Sequence, residues 1–168
     1  MTYAVIDSPV GPLTLVATDA GELTGLYLDR QRYRPQAETF GDRDDSALPA
    51  VASQLGEYFE HGRTSFDVPL YLAGTPFQRK VWTALLDVPF GETTTYGELA
   101  AVLGLAPGAS RAVGLANGKN PISIIVPCHR VLGSTGSLTG YGGGLERKQA
   151  LLDHESGTLL LSAHWMST

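Results

Sequence analysis

The sequence predicts an α/β fold: a small first half of strands and one helix, then a mostly helical second half. Two observations carry this. Apolar residues alternate with period two as far as residue 28 and recur at helical spacing from residue 48 onward. Between the two blocks, Ala73-Gly74-Thr75-Pro76 reads as a turn-rich boundary, which gives expected domains of residues 1–75 and 76–168.

In order along the chain, residues 3–7, 13–18 and 23–28 read as strands of a meander, with Ser8-Pro9-Val10-Gly11-Pro12 and Asp19-Ala20-Gly21 as its turns. Residues 29–45 are charged and aperiodic. Leu48, Val51, Leu55, Tyr58 and Phe59 share one helical face, predicting an amphipathic helix over 46–60. In the second half Phe77, Val81, Trp82, Leu85 and Leu86 form an apolar stripe that Pro89 is expected to terminate. A short helix is expected over 96–103, with Leu99, Val102 and Leu103 inward and Gly104 as its stop. Another over 109–117 closes at Asn117-Gly118. Two short helices joined by a glycine-containing turn suggest a helix-turn-helix, although the same pattern is commonly a plain αα-hairpin. The second carries the small residues Ala112, Gly114 and Ala116, which let its backbone approach another surface or pack tightly on its neighbour.

With 43% hydrophobic and 17% charged residues over 168 positions, the chain is an ordinary globular protein rather than a disordered or large multidomain one. It starts without a basic and apolar leader pattern and has no run of about 18 apolar residues, so a cytoplasmic protein with no membrane partner is expected. A single cysteine excludes an internal disulfide and a cysteine-rich zinc site, and of the cysteine and histidine ligands such a site needs residues 1–75 offer only His61, so no metal is expected. The net charge of −5 argues superficially against nucleic acid, but its distribution is uneven. Residues 1–75 hold five Lys/Arg against eleven Asp/Glu, whereas 76–168 hold seven against six. Within 109–148, Arg111, Lys119, Arg130, Arg147 and Lys148 stand against Glu146 alone, a modest basic face.

Asn120-Pro121 leads into the apolar Ile122-Ser123-Ile124-Ile125-Val126, which ends at Pro127-Cys128-His129-Arg130-Val131. A lone cysteine is ordinarily an inert core residue. Here His129 and Arg130 adjoin it, and a proton acceptor or a cation beside a thiol favours the thiolate. Six glycines between residues 133 and 144 surround Tyr141, either a backbone-lined loop that hugs a flat ligand or a plain surface loop.

These residues in this order resemble the O6-alkylguanine-DNA alkyltransferases, the methylated-DNA–protein-cysteine methyltransferases. The likeness runs from Phe77 through Phe90-Gly91-Glu92, Tyr96, Arg111-Ala112-Val113-Gly114, Asn120-Pro121, the cysteine motif, Tyr141 and its glycines, and Leu151-Leu152 to His154-Glu155. The resemblance implies a ribonuclease H-like α/β domain followed by a helical domain with a helix-turn-helix DNA-binding motif. It also implies direct-reversal repair, in which an alkyl group, mainly methyl, passes from O6-alkylguanine, and from O4-alkylthymine, to the protein's own Cys128 in a single turnover without a cofactor.

Residue by residue, the likeness makes Cys128 the acceptor, His129 the base acting through a water, and Glu155 the carboxylate that orients His129. Asn120 is expected to fix the turn, and Tyr96 to donate a proton to the leaving base. Arg111 is the expected finger that fills the stack after the damaged nucleotide is extruded, and Ala112, Gly114, Asn117 and Arg130 are expected to face DNA. Val131, Tyr141, Gly142 and Gly143 are expected to line the base pocket. The implied partner is alkylated double-stranded DNA, read through the minor groove by a protein that is monomeric without DNA. Ser123 replaces a frequent proline, Asn117 an apolar residue and Gly142 a small hydroxyl residue seen in relatives. Two rival readings are a lesion-binding relative that transfers nothing, which would lack Cys128, and a thiol hydrolase or redox enzyme, for which adjacent Cys and His are awkwardly placed.

Overall fold

The computed structural model describes residues 1–137 and 141–157. The meander forms as expected: β1 (Thr2–Ile6), β2 (Leu13–Ala17) and β3 (Leu23–Leu28) pair antiparallel in sequence. The aperiodic stretch supplies a fourth strand, β4 (Asp42–Arg43), parallel to β1, giving the order β3-β2-β1-β4. Two residues are too few for an alternation to register, so periodicity missed it. Beside this strand, Phe40 stacks on Tyr27 with ring centroids 5.5 Å apart and meets Tyr3 edge-on, a small satellite core.

α1 (Pro49–Phe59) buries Val51, Leu55, Tyr58 and Phe59, the predicted face. It starts later than expected because Leu48 is left-handed at φ 54° and Pro49 takes the first turn, where its missing N–H costs nothing. α2 (Pro76–Leu85) opens on a capping box between Thr75 and Gln78. It ends at Leu85, ahead of Pro89; Leu86 is 44% exposed, so the inward stripe stops one residue short of the expected one.

α3 (Tyr96–Val102) and α4 (Ser110–Gly118) make the helix-turn-helix. Gly104, at φ 71°, closes α3 in a Schellman arrangement: its N–H donates to Ala101 and the Leu105 N–H to Ala100. Val102, expected inward, is 79% exposed, because Leu99 and Ala100 make the buried face of α3 and Val102 points away from it. Ala116 faces inward, and its carbonyl accepts the Trp82 indole N–H at 2.9 Å, tying α4 to α2.

A short parallel ladder between β5 (Thr94–Thr95) and β6 (Val131–Leu132) joins the start of α3 to the residues after Cys128. α5 (Leu145–Ser156) runs between Gly144 and a left-handed Gly157. One core passes through both halves and includes Leu26, Tyr58, Trp82, Val113, Val126 and Leu151. The outer edge of β3 is covered rather than free. The Leu23 N–H donates to Pro69 and the Leu26 N–H to Pro121, and Leu26 in turn accepts from Ser123 at 3.1 Å. The first-half sheet thus holds the segment that leads to the cysteine. No helix among the described residues is long and apolar enough to cross a membrane.

Candidate active site

Asn120 builds the turn before the cysteine. Its Nδ2 donates to Val126 O at 2.7 Å and to Ile122 O at 3.3 Å, while its Oδ1 accepts the Ile122 N–H at 3.0 Å. These bonds hold Ile124 at φ 71°, a left-handed conformation that a β-branched residue adopts only when its surroundings force it. Cys128 follows in a 3-10 turn with His129 and Arg130, and all three are buried.

The neighbours of Cys128 act otherwise than adjacency suggested. Burial pushes its thiol up to about 11; a hydrogen bond from the Asn120 side chain and the charge of Lys148 pull it back only partly. Arg130 does not supply the thiol with a cation, nor does it face DNA as expected. It is 6% exposed, with Nε 2.7 Å from Glu155 Oε1, Nη2 3.0 Å from Oε2, and Nη1 donating to Val88 O at 2.7 Å. A guanidinium this far inside needs a carboxylate, and Glu155 is the one it meets.

Glu155 also accepts from His129 Nε2 at 2.7 Å and from the Tyr58 hydroxyl at 2.6 Å. Burial alone would raise its pKa; His129 and Arg130 outweigh that and hold the carboxyl far below the usual range. Burial lowers the pKa of His129, so near neutral pH the ring is neutral and Arg130 brings the balancing charge. With Nε2 donating to Glu155, the acceptor nitrogen is Nδ1, which is buried and has no hydrogen-bond partner among the described residues.

Two contributors escaped the sequence reading. Tyr58, read only as a core residue, reaches Glu155 from the first half of the chain. Lys148, counted toward a basic face, is fully buried and donates from Nζ to Val131 O at 2.5 Å; burial pulls it down to about 8, against the opposing influence of Cys128. A signal existed: Lys148, Leu151 and Glu155 fall at i, i+3 and i+7, so two charges interrupt the inward stripe of α5.

Asn117 also needs correction as a DNA-facing residue. It is 1% exposed, and its Nδ2 donates to Cys128 O at 3.3 Å, because the α4 face that carries it packs on the cysteine turn. Arg111 and Ala112 are exposed at the start of α4, and a Cβ on Gly114 would lie 3.6 Å from the Tyr96 ring. With Arg130 and Lys148 inside, the cations left outside in this half near α4 and α5 are Arg111, Lys119 and the half-buried Arg147.

Val131 is fully buried beside the cysteine turn, and Tyr141 is 8% exposed, with burial holding its hydroxyl well above the ordinary tyrosine range. A Cβ at Gly143 would come within 2.6 Å of the Tyr141 ring, which requires glycine there. A cleft of about 320 Å³ opens over Tyr141, Gly142, Gly114 and Leu115. Residues 138–140 of the glycine-rich stretch lie outside the described residues. Among the described residues no group of three or more His, Cys, Asp or Glu could hold a metal ion.

The profile of the 6-O-methylguanine DNA methyltransferase DNA binding domain matches residues 76–157, and that of the same enzyme's ribonuclease-like domain matches residues 1–72. The chain belongs to the 6-O-methylguanine DNA methyltransferase family. It is 56% identical to the methylated-DNA–protein-cysteine methyltransferase of Mycobacterium tuberculosis over 153 residues, 91% of each chain. It is 47% identical to that of Methanosarcina acetivorans over 158 residues, 92% of this chain and 98% of the relative. The structure is similar to that of Mycobacterium tuberculosis OGT in complex with DNA, with a TM-score of 0.85, 53% identity and 94% of both chains covered. In this member of the methyltransferase family the ribonuclease-like sheet with α1 and the helical DNA-binding half are both present, as the resemblance implied.

Proposed function

We propose that Cys128 accepts the alkyl group. The protein is a direct-reversal repair methyltransferase, passing the group from O6 of guanine in DNA to its own cysteine, and the observation that carries the residue assignment is that the chain has one cysteine. Burial holds the thiol up at about 11, so it rests protonated near neutral pH and its proton must be removed for the Sγ–C bond to form. In the in-line displacement the Sγ–C bond forms as the C–O6 bond breaks. The thiol proton passes through a water to His129 Nδ1, Glu155 steadies the imidazolium, and the Tyr96 hydroxyl protonates the departing guanine. The methylated thioether does not turn over.

Access follows from stacking: the lesion lies inside the duplex, so the nucleotide is extruded and Arg111 fills the gap. Ala112 and Gly114 give α4 the slender face that a minor groove admits. Val131, Tyr141, Gly142 and Gly143 wall the pocket, which also takes O4-alkylthymine. The free protein is a cytoplasmic monomer, divided near residue 75 into its two domains. Mass spectrometry after incubation with methylated duplex DNA tests this. One methyl group per molecule, on the Cys128 peptide, is expected; an unmodified protein, or repeated turnover, would refute it.

A further inference from the structure

Residues 30–34 belong to the acidic half of the chain, yet three of the five Lys/Arg in residues 1–75 are Arg30, Arg32 and Arg34. The loop is rigidly built. Gln31 Oε1 accepts from the Leu28 N–H at 2.9 Å and from the Ser123 hydroxyl at 3.1 Å, Arg34 donates to Thr14 Oγ1 at 3.0 Å, and the Arg32 N–H donates to Gly142 O at 2.8 Å. Arg30 and Tyr33 both take left-handed backbone, at φ 58° and 63°, which a bulky side chain adopts only under constraint. The outcome is that Gln31 and Arg34 turn inward while Arg32 and Tyr33 turn outward, onto the rim of the cleft shared with Gly114, Leu115 and Tyr141.

The Tyr33 ring is 48% exposed, with the Arg32 guanidinium 4.8 Å and the Lys119 ammonium 5.5 Å from its centre. Two cations gathered on one ring repel each other, and among the described residues neither forms an ion pair. An anion near the ring relieves that repulsion. Lys119 directly follows α4, the proposed groove helix, so the anion in reach is the DNA backbone.

We propose that the 30–34 loop is a second DNA contact, supplied by the first half of the chain. A backbone phosphate of the damaged strand binds between Arg32 and Lys119, and the Tyr33 ring packs against the nucleotide beside the extruded one. A guanidinium suits a phosphate oxygen pair, and an aromatic face suits any base, so the contact adds affinity without reading sequence. The inference rests on the repair reading above.

The test is binding of the full chain to duplex DNA carrying O6-methylguanine, measured across salt concentration. Arg32→Ala should weaken binding several-fold and make the slope of log K against log salt shallower by about one, and Arg32→Lys should restore the slope. Tyr33→Asn, which suits the left-handed backbone but lacks the ring, should weaken binding about fivefold or more with the slope unchanged, and Tyr33→Phe should bind like wild type. Wild-type affinity and slope in both Arg32→Ala and Tyr33→Asn overturn the proposal. Methyl uptake by the wild type, read in parallel by mass, separates the two ideas. Uptake with unaltered binding in the variants removes only this contact, whereas no uptake removes the repair reading and this inference with it.

Discussion

Glu155→Gln removes one negative charge while keeping the shape of the side chain on which four donors converge: His129 Nε2, the Tyr58 hydroxyl, and Nε and Nη2 of Arg130. The variant leaves the Arg130 guanidinium buried without a counter-charge, and one of the donors meets an amide N–H₂ instead of an oxygen. Breaking a buried pair in this way costs about 3–5 kcal/mol. At roughly 2–4 °C per kcal/mol for a chain of this size, Tm should fall by about 6–20 °C. The pH dependence has a definite sign. Glu155 titrates far below its ordinary value of 4.5 in the folded protein, so its stabilisation is fully present above that value and is lost as pH falls below it. The Tm gap between wild type and variant should therefore be widest above pH 5 and narrow below about 4.5. Chemistry suffers separately. The imidazolium that the proposed mechanism forms on His129 loses a hydrogen bond to a charged acceptor, worth about 1.5–3 kcal/mol, or roughly ten- to 150-fold in rate. The assay is single-turnover methyl uptake by mass spectrometry at saturating DNA, below the variant's Tm, across pH. A variant that is destabilised but transfers methyl at the wild-type rate with the wild-type pH profile would refute the orienting role. One that melts within 1 °C of wild type would refute the claim that Arg130 depends on this carboxylate.

Three further outcomes are expected. Cys128→Ser should abolish methyl uptake by mass while retaining affinity for methylated duplex, since the sulfur is no part of the DNA surface; a methyl group on another residue of the variant would contradict the assignment. Arg111→Ala should lose far more activity on duplex DNA than on the free methylated base, because its proposed work is to offset an extrusion costing a few kcal/mol; equal losses would mean it is no finger. Lys148→Met should alter the alkaline limb of stability: the wild-type lysine, held near 8 by burial, is disfavoured when charged, and that penalty is lifted as pH rises from 8 to 10.5. Wild type should gain stability relative to the variant over that window, as read by denaturant melts, and a constant difference would show that Lys148 is not strained by its charge.

What the sequence determined by itself was whatever depends on local pattern. Period-two alternation placed β1, β2 and β3 to within a residue, and the apolar spacing placed the buried face of α1, because a strand or helix that buries one face must repeat its apolar residues at its own period. The ordered motifs from Phe77 to Glu155 are specific enough to identify the family without the fold. Tertiary structure alone decided where the charges went. Arg130 and Lys148 looked like surface cations because those residue types usually are, and Asn117 was expected at the groove because the family resemblance places a groove-touching residue there. All three are buried, each held by a partner distant in sequence: Glu155, the Val131 carbonyl and the Cys128 carbonyl. β4 and the Tyr58 contact to Glu155 were equally invisible, one too short to show a period and the other spanning 97 residues. A buried polar group is permitted only by its partner, and pairing over such separations is set by how the elements pack, which no local window contains.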